Sequence, residues 1–331
     1  MAGAPVAFST DVLNLDEAAE IERIAASLRD ATGRLLRKRG LIIAISGGVD
    51  SSVCAALAVR AVGAQKVCAL ILPERDSSDN SASRAELLSA QLGLQPLTVN
   101  IGPTLEAAGC YRWRDEAMRR VLPGYDEGWR SKIAIRGGMQ GRVSYFHLVA
   151  QSPDGAMHDV RMPLAEYLQI VAATSFKQRT RKMLEYFHAD RLNYAVIGTP
   201  NRLEYDQGFF VKNGDGAADL KPIAHLYKTQ VYALARALNL PAQITSARPT
   251  TDTYSLAQGQ DEFYFALPYE QMDLALWAHN HGVPAEQMGA VLGLTAERAQ
   301  WIYDDIEAKR RATQYLHRGP VLVEDVPEIA F

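Results

Sequence analysis

Apolar and polar positions alternate along this chain in a rhythm of short unbroken apolar runs and longer segments of helical spacing. Leu41-Ile42-Ile43-Ala44-Ile45 is a continuous apolar run, which reads as a strand buried on both faces. Lys66 to Pro73, Pro96 to Asn100 and Tyr194 to Ile197 read the same way. Before, between and after them, apolar residues recur at helical spacing over Asp16 to about Arg37, Val53 to Val59, about Ser81 to Leu92, about Leu164 to Phe187 and about Lys228 to Leu238. Strands alternating with helices predict an α/β fold with a doubly wound parallel sheet. Ligands of such sheets bind beyond the carboxyl ends of the strands.

The rhythm breaks between about Cys110 and Pro163. Pro123 to Arg142 is rich in glycine and charge and reads as a loop. Val143 to Val149 and Met157 to Met162 flank Ser152-Pro153-Asp154-Gly155, the chemistry of a β-hairpin turn. The block reads as a β-hairpin insertion in the α/β domain. It leaves the sheet at the ligand-binding edge and carries aromatics (Tyr111, Trp113, Tyr125, Trp129, Tyr145, Phe146) among arginines, which suits a lid over a ligand with rings and phosphates. Helices at about Glu270–Asn280, Glu286–Leu292 and Ala296–Arg311 complete the chain. The expected division is an α/β domain over 1–274, with the insertion at about 110–163, and a helical C-terminal extension over 275–331.

The first strand stops at Ser46-Gly47-Gly48-Val49-Asp50-Ser51-Ser52, directly before a helix. Glycines allow a sharp turn that gathers backbone N–H groups, and the helix N-terminus behind them favours an anion. A carboxylate at Asp50 would repel phosphate unless a cation bridges the two, so the stretch points to a triphosphate or pyrophosphate held with Mg²⁺. The Walker A spacing is absent.

Composition narrows the class. The 331 residues are 48% hydrophobic and 22% charged, with a net charge of −3, which disfavours general nucleic-acid affinity. Cys54, Cys68 and Cys110 lack paired spacing and fit a reduced, cytoplasmic setting. No apolar run approaches membrane-spanning length. Val283 to Trp301 resembles a helix-turn-helix, but Asp304, Asp305 and Glu307 follow on the second helix and would repel DNA phosphates. Packing or dimer contacts are the expected role, with Met272, Leu276, Val291 and Leu292 as apolar stripes for core or interface.

Ser46 to Ser52 resembles the pyrophosphate loop of N-type ATP pyrophosphatases. Three further stretches extend the likeness: Phe176 to Arg181, Gly198 to Asp219, and Pro222 to Val231 with Pro249-Thr250-Thr251-Asp252 and Gln260-Asp261-Glu262 beyond. Together they resemble the ammonia-dependent NAD⁺ synthetases. The resemblance implies an adenine nucleotide alpha hydrolase-like fold and ATP-dependent amidation of deamido-NAD⁺ to NAD⁺ through an acyl-adenylate, with release of AMP and pyrophosphate. It implies that Ser46, Gly47, Gly48, Val49, Asp50, Ser51, Ser52, Thr199, Lys228 and Thr250 bind ATP. By the same likeness Asp50 and Glu204 ligate Mg²⁺, and Arg179, Lys212, Asp215, Asp219 and Lys309 serve the deamido-NAD⁺. No covalent nucleophile is expected, because the α-phosphate of ATP activates the carboxylate. Ser175 stands where the family usually has Asn, and Ala308-Lys309 where it has His-Lys. These departures bear on the acceptor, so a related amide synthetase acting on another carboxylate is the alternative. No fused glutaminase is read, so free ammonia is the expected nitrogen donor unless a separate subunit delivers it, and the family implies a homodimer. Neither a nucleic-acid nor a membrane partner is expected.

Overall fold

The computed structural model describes residues 8–138, 141–247, 254–256, 259, 264–265 and 267–329. Four parallel strands lie at its centre in the order β3-β2-β1-β7: β1 Leu41–Ala44, β2 Val67–Ile71, β3 Leu97–Thr98 and β7 Ala195–Val196. Unbroken apolar sequence is needed here because both faces are covered. Leu41 and Ile43 point into one core with α1 (Glu17–Asp30), α2 (Val49–Val62) and α8 (Lys228–Ala237). Ile42, Leu70 and Val196 point the other way, onto α4 (Gly102–Ala107), α5 (Cys110–Val121) and α6 (Leu164–Leu192). The sheet is therefore doubly wound, as its sequence pattern predicts. All three cysteines are free, with Cys54 and Cys110 buried. Among the described residues no helix is long and apolar enough to cross a membrane.

Helix α6 governs the site. Its 29 residues span roughly 44 Å at about 1.5 Å per residue, far more than strands of four or five residues. Ala173 and Ala189 pack on the sheet, whereas Ile170 belongs to a separate core beyond it. The N-terminal turns of α6 thus overhang the carboxyl edge of the strands.

The insertion packs on that overhang. It contains more regular structure than its sequence suggested. The β5–β6 hairpin (Gly141–Gln151 and Met157–Arg161) forms where expected, with its turn at Ser152 to Gly155. The stretch expected to be a loop instead supplies β4 (Arg130–Gly138), antiparallel to β5, so the element is a three-stranded sheet. Helix α5 likewise forms just after the point where the helical rhythm was expected to lapse. Ile133, Leu148, Ala150, Met118 and Ile170 are all buried in the core that joins this sheet to α5 and α6.

A second satellite core gathers the C-terminal helices α10 (Tyr269–Asn280), α11 (Ala285–Leu292) and α12 (Ala296–His317) on α7 (Arg202–Gln207). Met272 and Leu276 are fully buried in it, so this stripe is core; Val291 remains exposed. Residue 274, the expected end of the α/β domain, falls inside α10. The second helix of the helix-turn-helix-like segment buries Ala299, Ile302 and Ile306 in the same core. A short helix, α9 (Ala242–Thr245), lies between α8 and α10.

Candidate active site

The chain turns sharply at the end of β1, where Gly47 takes a φ of 76°. A Cβ there would stand 2.4 Å from the Ser81 carbonyl oxygen, on α3 (Asp79–Gln91), so only glycine lets the loop and α3 approach this closely. The Ser51 hydroxyl accepts from the Ser46 N–H at 3.2 Å and donates to the Gly48 carbonyl at 3.1 Å. The Ser52 hydroxyl donates to the same carbonyl at 2.7 Å. These bonds set the loop onto α2, whose first turn no side chain caps. Its positive end is left for an anion.

This loop borders a cavity of about 660 Å³ at the carboxyl edge of the sheet. Ser46 to Ser51, Thr199, Glu204 and Lys228 all line it. Glu204 sits in a capping box with Asn201 at the start of α7, the two residues exchanging backbone-to-side-chain bonds of 3.1 and 3.2 Å. Asn201 also donates to Asp50 at 3.3 Å. Lys228, only 2% exposed, donates to the other oxygen of Asp50. Burial works against its charge, but Asp50 and Glu204 outweigh that and hold the ammonium above its ordinary pKa. Asp273 of α10 caps α8 from beneath, accepting from Lys228 N–H at 3.2 Å and Thr229 N–H at 2.7 Å. Burial pushes its carboxyl up to about 7 against those donors.

The residues assigned to the acceptor divide. Arg179, Lys212, Asp215 and Lys309 line the same cavity. Arg179 donates to the Lys212 carbonyl at 3.2 Å. Lys212 itself donates to the carbonyls of Tyr315 and Arg318, both at 2.8 Å, where a cation suits a helix C-terminus. Asp215 accepts from the Val211 N–H at 2.7 Å, and burial raises its carboxyl pKa. Lys309 donates to Asp305 at 2.6 Å, yet burial still pulls it below its usual value. Asp219 is exposed and not among the cavity-lining residues; it accepts from the Val196 N–H at 2.7 Å and the Tyr186 hydroxyl at 3.5 Å. Thr250 and the stretch around Asp261 lie outside the described residues.

Among the lining residues that went unnoticed in the sequence, two are oppositely charged neighbours. Lys182 and Glu185 form a buried ion pair of 2.7 Å in the cavity wall, and burial raises the Glu185 pKa despite the lysine. An i,i+3 pair on a helix reads locally as a solvated face, so only the fold reveals it.

With the glycine-turned loop, carboxylates and cations around one cavity, the comparisons with known proteins have a physical counterpart. The sequence model described as NAD synthase matches residues 20–120 and 153–314. An "NH(3)-dependent NAD(+) synthetase" of Rhizobium meliloti (strain 1021) is 56% identical over 323 residues, covering 97% of this chain and 96% of that protein. Two solved structures share the fold at lower identity. An NMN synthetase from Francisella tularensis has a TM-score of 0.63 at 21% identity, covering 93% of this chain and 99% of its own. An NH3-dependent NAD synthetase from Campylobacter jejuni, in complex with the nitrate ion, has a TM-score of 0.61 at 20% identity, covering 94% of this chain and 100% of its own. The chain belongs to the NAD synthase family.

Proposed function

We propose that this protein is an ammonia-dependent NAD⁺ synthetase, which amidates the nicotinate carboxylate of deamido-NAD⁺ at the expense of ATP. The observation that carries the reading is the buried Lys228 held beside Asp50 at the phosphate loop of a family member, with Glu204 close enough to add to its pull. A carboxylate is a poor electrophile, so it must first be activated. The nicotinate oxygen attacks the α-phosphate of ATP and pyrophosphate leaves. Ammonia then adds to the acyl carbonyl, loses a proton, and expels AMP. The first step brings an anion to a polyanion, and Lys228 with the N–H groups at the start of α2 stabilises the charge that develops.

Asp50 and Glu204 fit Mg²⁺. Both are oxygen donors on the cavity wall, and Mg²⁺ is ordinarily held by one or two carboxylates together with substrate phosphates. Among the described residues no group of three or more His, Cys, Asp or Glu could hold a metal ion. When bound, it supplies charge neutralisation between carboxylate and triphosphate. With that ion bound, Asp50 would have a second cation beside it, and Lys228 would be able to turn to phosphate.

A homodimer completes the reading. Leu168, Met183 and Phe187 are each more than half exposed along one face of α6, with exposed Arg179 between the first two, and the apolar side chains of this face suit a second copy of the chain. ATP–pyrophosphate exchange tests the function directly: labelled pyrophosphate is expected to enter ATP only when deamido-NAD⁺ and Mg²⁺ are present, without ammonia. Exchange that ignores the acceptor would contradict the assignment.

A further inference from the structure

The family's sequence model passes over residues 121–152, the segment that holds β4 and β5. Those strands nevertheless place side chains in the cavity. Ile133 and Leu148 face each other across β4 and β5 and are fully buried. The next pair on that face, Ile135 and Phe146, is only partly buried and lines the cavity instead. Phe146 stacks on Tyr167 of α6, with ring centres 3.6 Å apart and planes within 12°. Tyr167 lines the cavity too, as does Tyr254. The sheet is tied in place beside Tyr254: the Ser131 N–H donates to the Ser255 hydroxyl at 2.9 Å, and the Leu256 N–H to the Ser131 carbonyl at 3.1 Å.

Helix α6 gives the cavity a direction. Tyr167, Val171, Thr174, Gln178, Arg181 and Glu185 line it from a single helix face. The face passes from apolar, through neutral polar, to charged. Arg181 donates to the Leu72 carbonyl just past β2, close to where the phosphate loop leaves β1. Tyr167 lies about four turns earlier, roughly 21 Å away along the helix. Adenylation must occur at the α-phosphate, at the charged end. A dinucleotide acceptor with its nicotinate there has two riboses and a pyrophosphate before its second ring, and that ring reaches toward the apolar end.

We infer that the inserted sheet builds a wall, centred on Phe146 over Tyr167, which stacks the adenine ring of the acceptor and so selects a dinucleotide over its nicotinate mononucleotide half. This rests on the functional reading above and adds to it a specificity element that the family's sequence model lacks. A rigid aromatic pair suits the role, because a base gains stacking energy from a ring already held in place.

Calorimetry with deamido-NAD⁺, nicotinate mononucleotide and ATP, each on the wild-type protein and on Phe146→Ala, tests this. The wild type is expected to bind the dinucleotide more tightly than the mononucleotide. Phe146→Ala should weaken the dinucleotide on the order of tenfold and leave the mononucleotide and ATP within about twofold. Phe146→Leu keeps the bulk but not the ring; it should show the same selective loss with a melting temperature near wild type, and it decides the matter if the alanine variant does not fold. Equal losses on both acceptors, a loss on ATP, or no loss would overturn the inference. Turnover of deamido-NAD⁺ by the wild type reports separately on the function, so failure there sinks that reading rather than the wall.

Discussion

Lys228 and Asp50, 178 residues apart in sequence, form an ion pair at the loop that follows β1, with the lysine buried. The first residue of α8 is thereby locked to the first turn of α2. A cation at a helix N-terminus opposes the macrodipole, so this lysine is retained against local preference. Asp50 and Glu204 supply the compensation within the protein, and a triphosphate would supply it in the complex.

Because both carboxylates act on the same cation, their variants should separate. Glu204→Gln keeps the capping box and should fold with a melting temperature near wild type, while losing on the order of 100-fold or more in adenylation rate. Asp50→Asn should lose activity similarly but also cost up to about 3 kcal/mol, since it strips the nearest counter-charge from a buried lysine. Exchange kinetics with thermal melts check both; a fully active variant of either kind would remove that residue from the site.

Asp273 makes stability depend on pH. Its carboxyl rises from 3.8 to about 7 on folding, through burial. Between those values the native protein holds a proton that the unfolded chain has released. The stabilisation is complete below the unfolded value and is lost as pH rises through about 7. Asp273→Asn cannot titrate, so its melting temperature relative to wild type should improve from about pH 5 to about pH 8. A difference that stays constant across that window would contradict this.

Gly208 ends α7 with a φ of 72°, and a Cβ there would stand 2.2 Å from the Thr313 side chain of α12. Gly208→Ala should cost about 2–4 kcal/mol through the left-handed conformation and the clash. Since α12 carries Lys309 and Tyr315 to the cavity, the acceptor KM should rise as well. A variant with unchanged melting and kinetics would show that α12 shifts freely.

The exposed stripe of α6 predicts the assembly. Met183→Glu, placed at a side chain 57% exposed, should convert a dimer to a monomer in light scattering while leaving the fold intact by circular dichroism. A dimer that survives this substitution must use another face.

The sheet and the sharp turn after β1 were legible because doubly covered strands must be unbroken apolar runs and a tight turn under α3 must be glycine. Helix α5 was obscure because its buried face carries Arg114, tolerable only where Asp76 and Asp115 neutralise it. Lys177 is equally hidden, buried against Glu74 at 3.1 Å and Asp76. Strand β4 does alternate, with Ser131 and Ile133 inward and Arg130 and Arg136 outward, but the glycines on either side mask so short a period. Buried charge pairs between distant segments leave no local trace. Lys182 and Glu185 emerged only with the fold for another reason: an i,i+3 pair on one helix reads as a solvated face until packing buries it.

The central claim is that this cavity couples amide formation to α-phosphate chemistry. The most direct measurement incubates the protein with ATP, Mg²⁺, ammonium and deamido-NAD⁺ and quantifies every nucleotide by chromatography. NAD⁺, AMP and pyrophosphate should appear in equal amounts. ADP and phosphate in step with NAD⁺, or AMP without NAD⁺ under saturating ammonium, would contradict it.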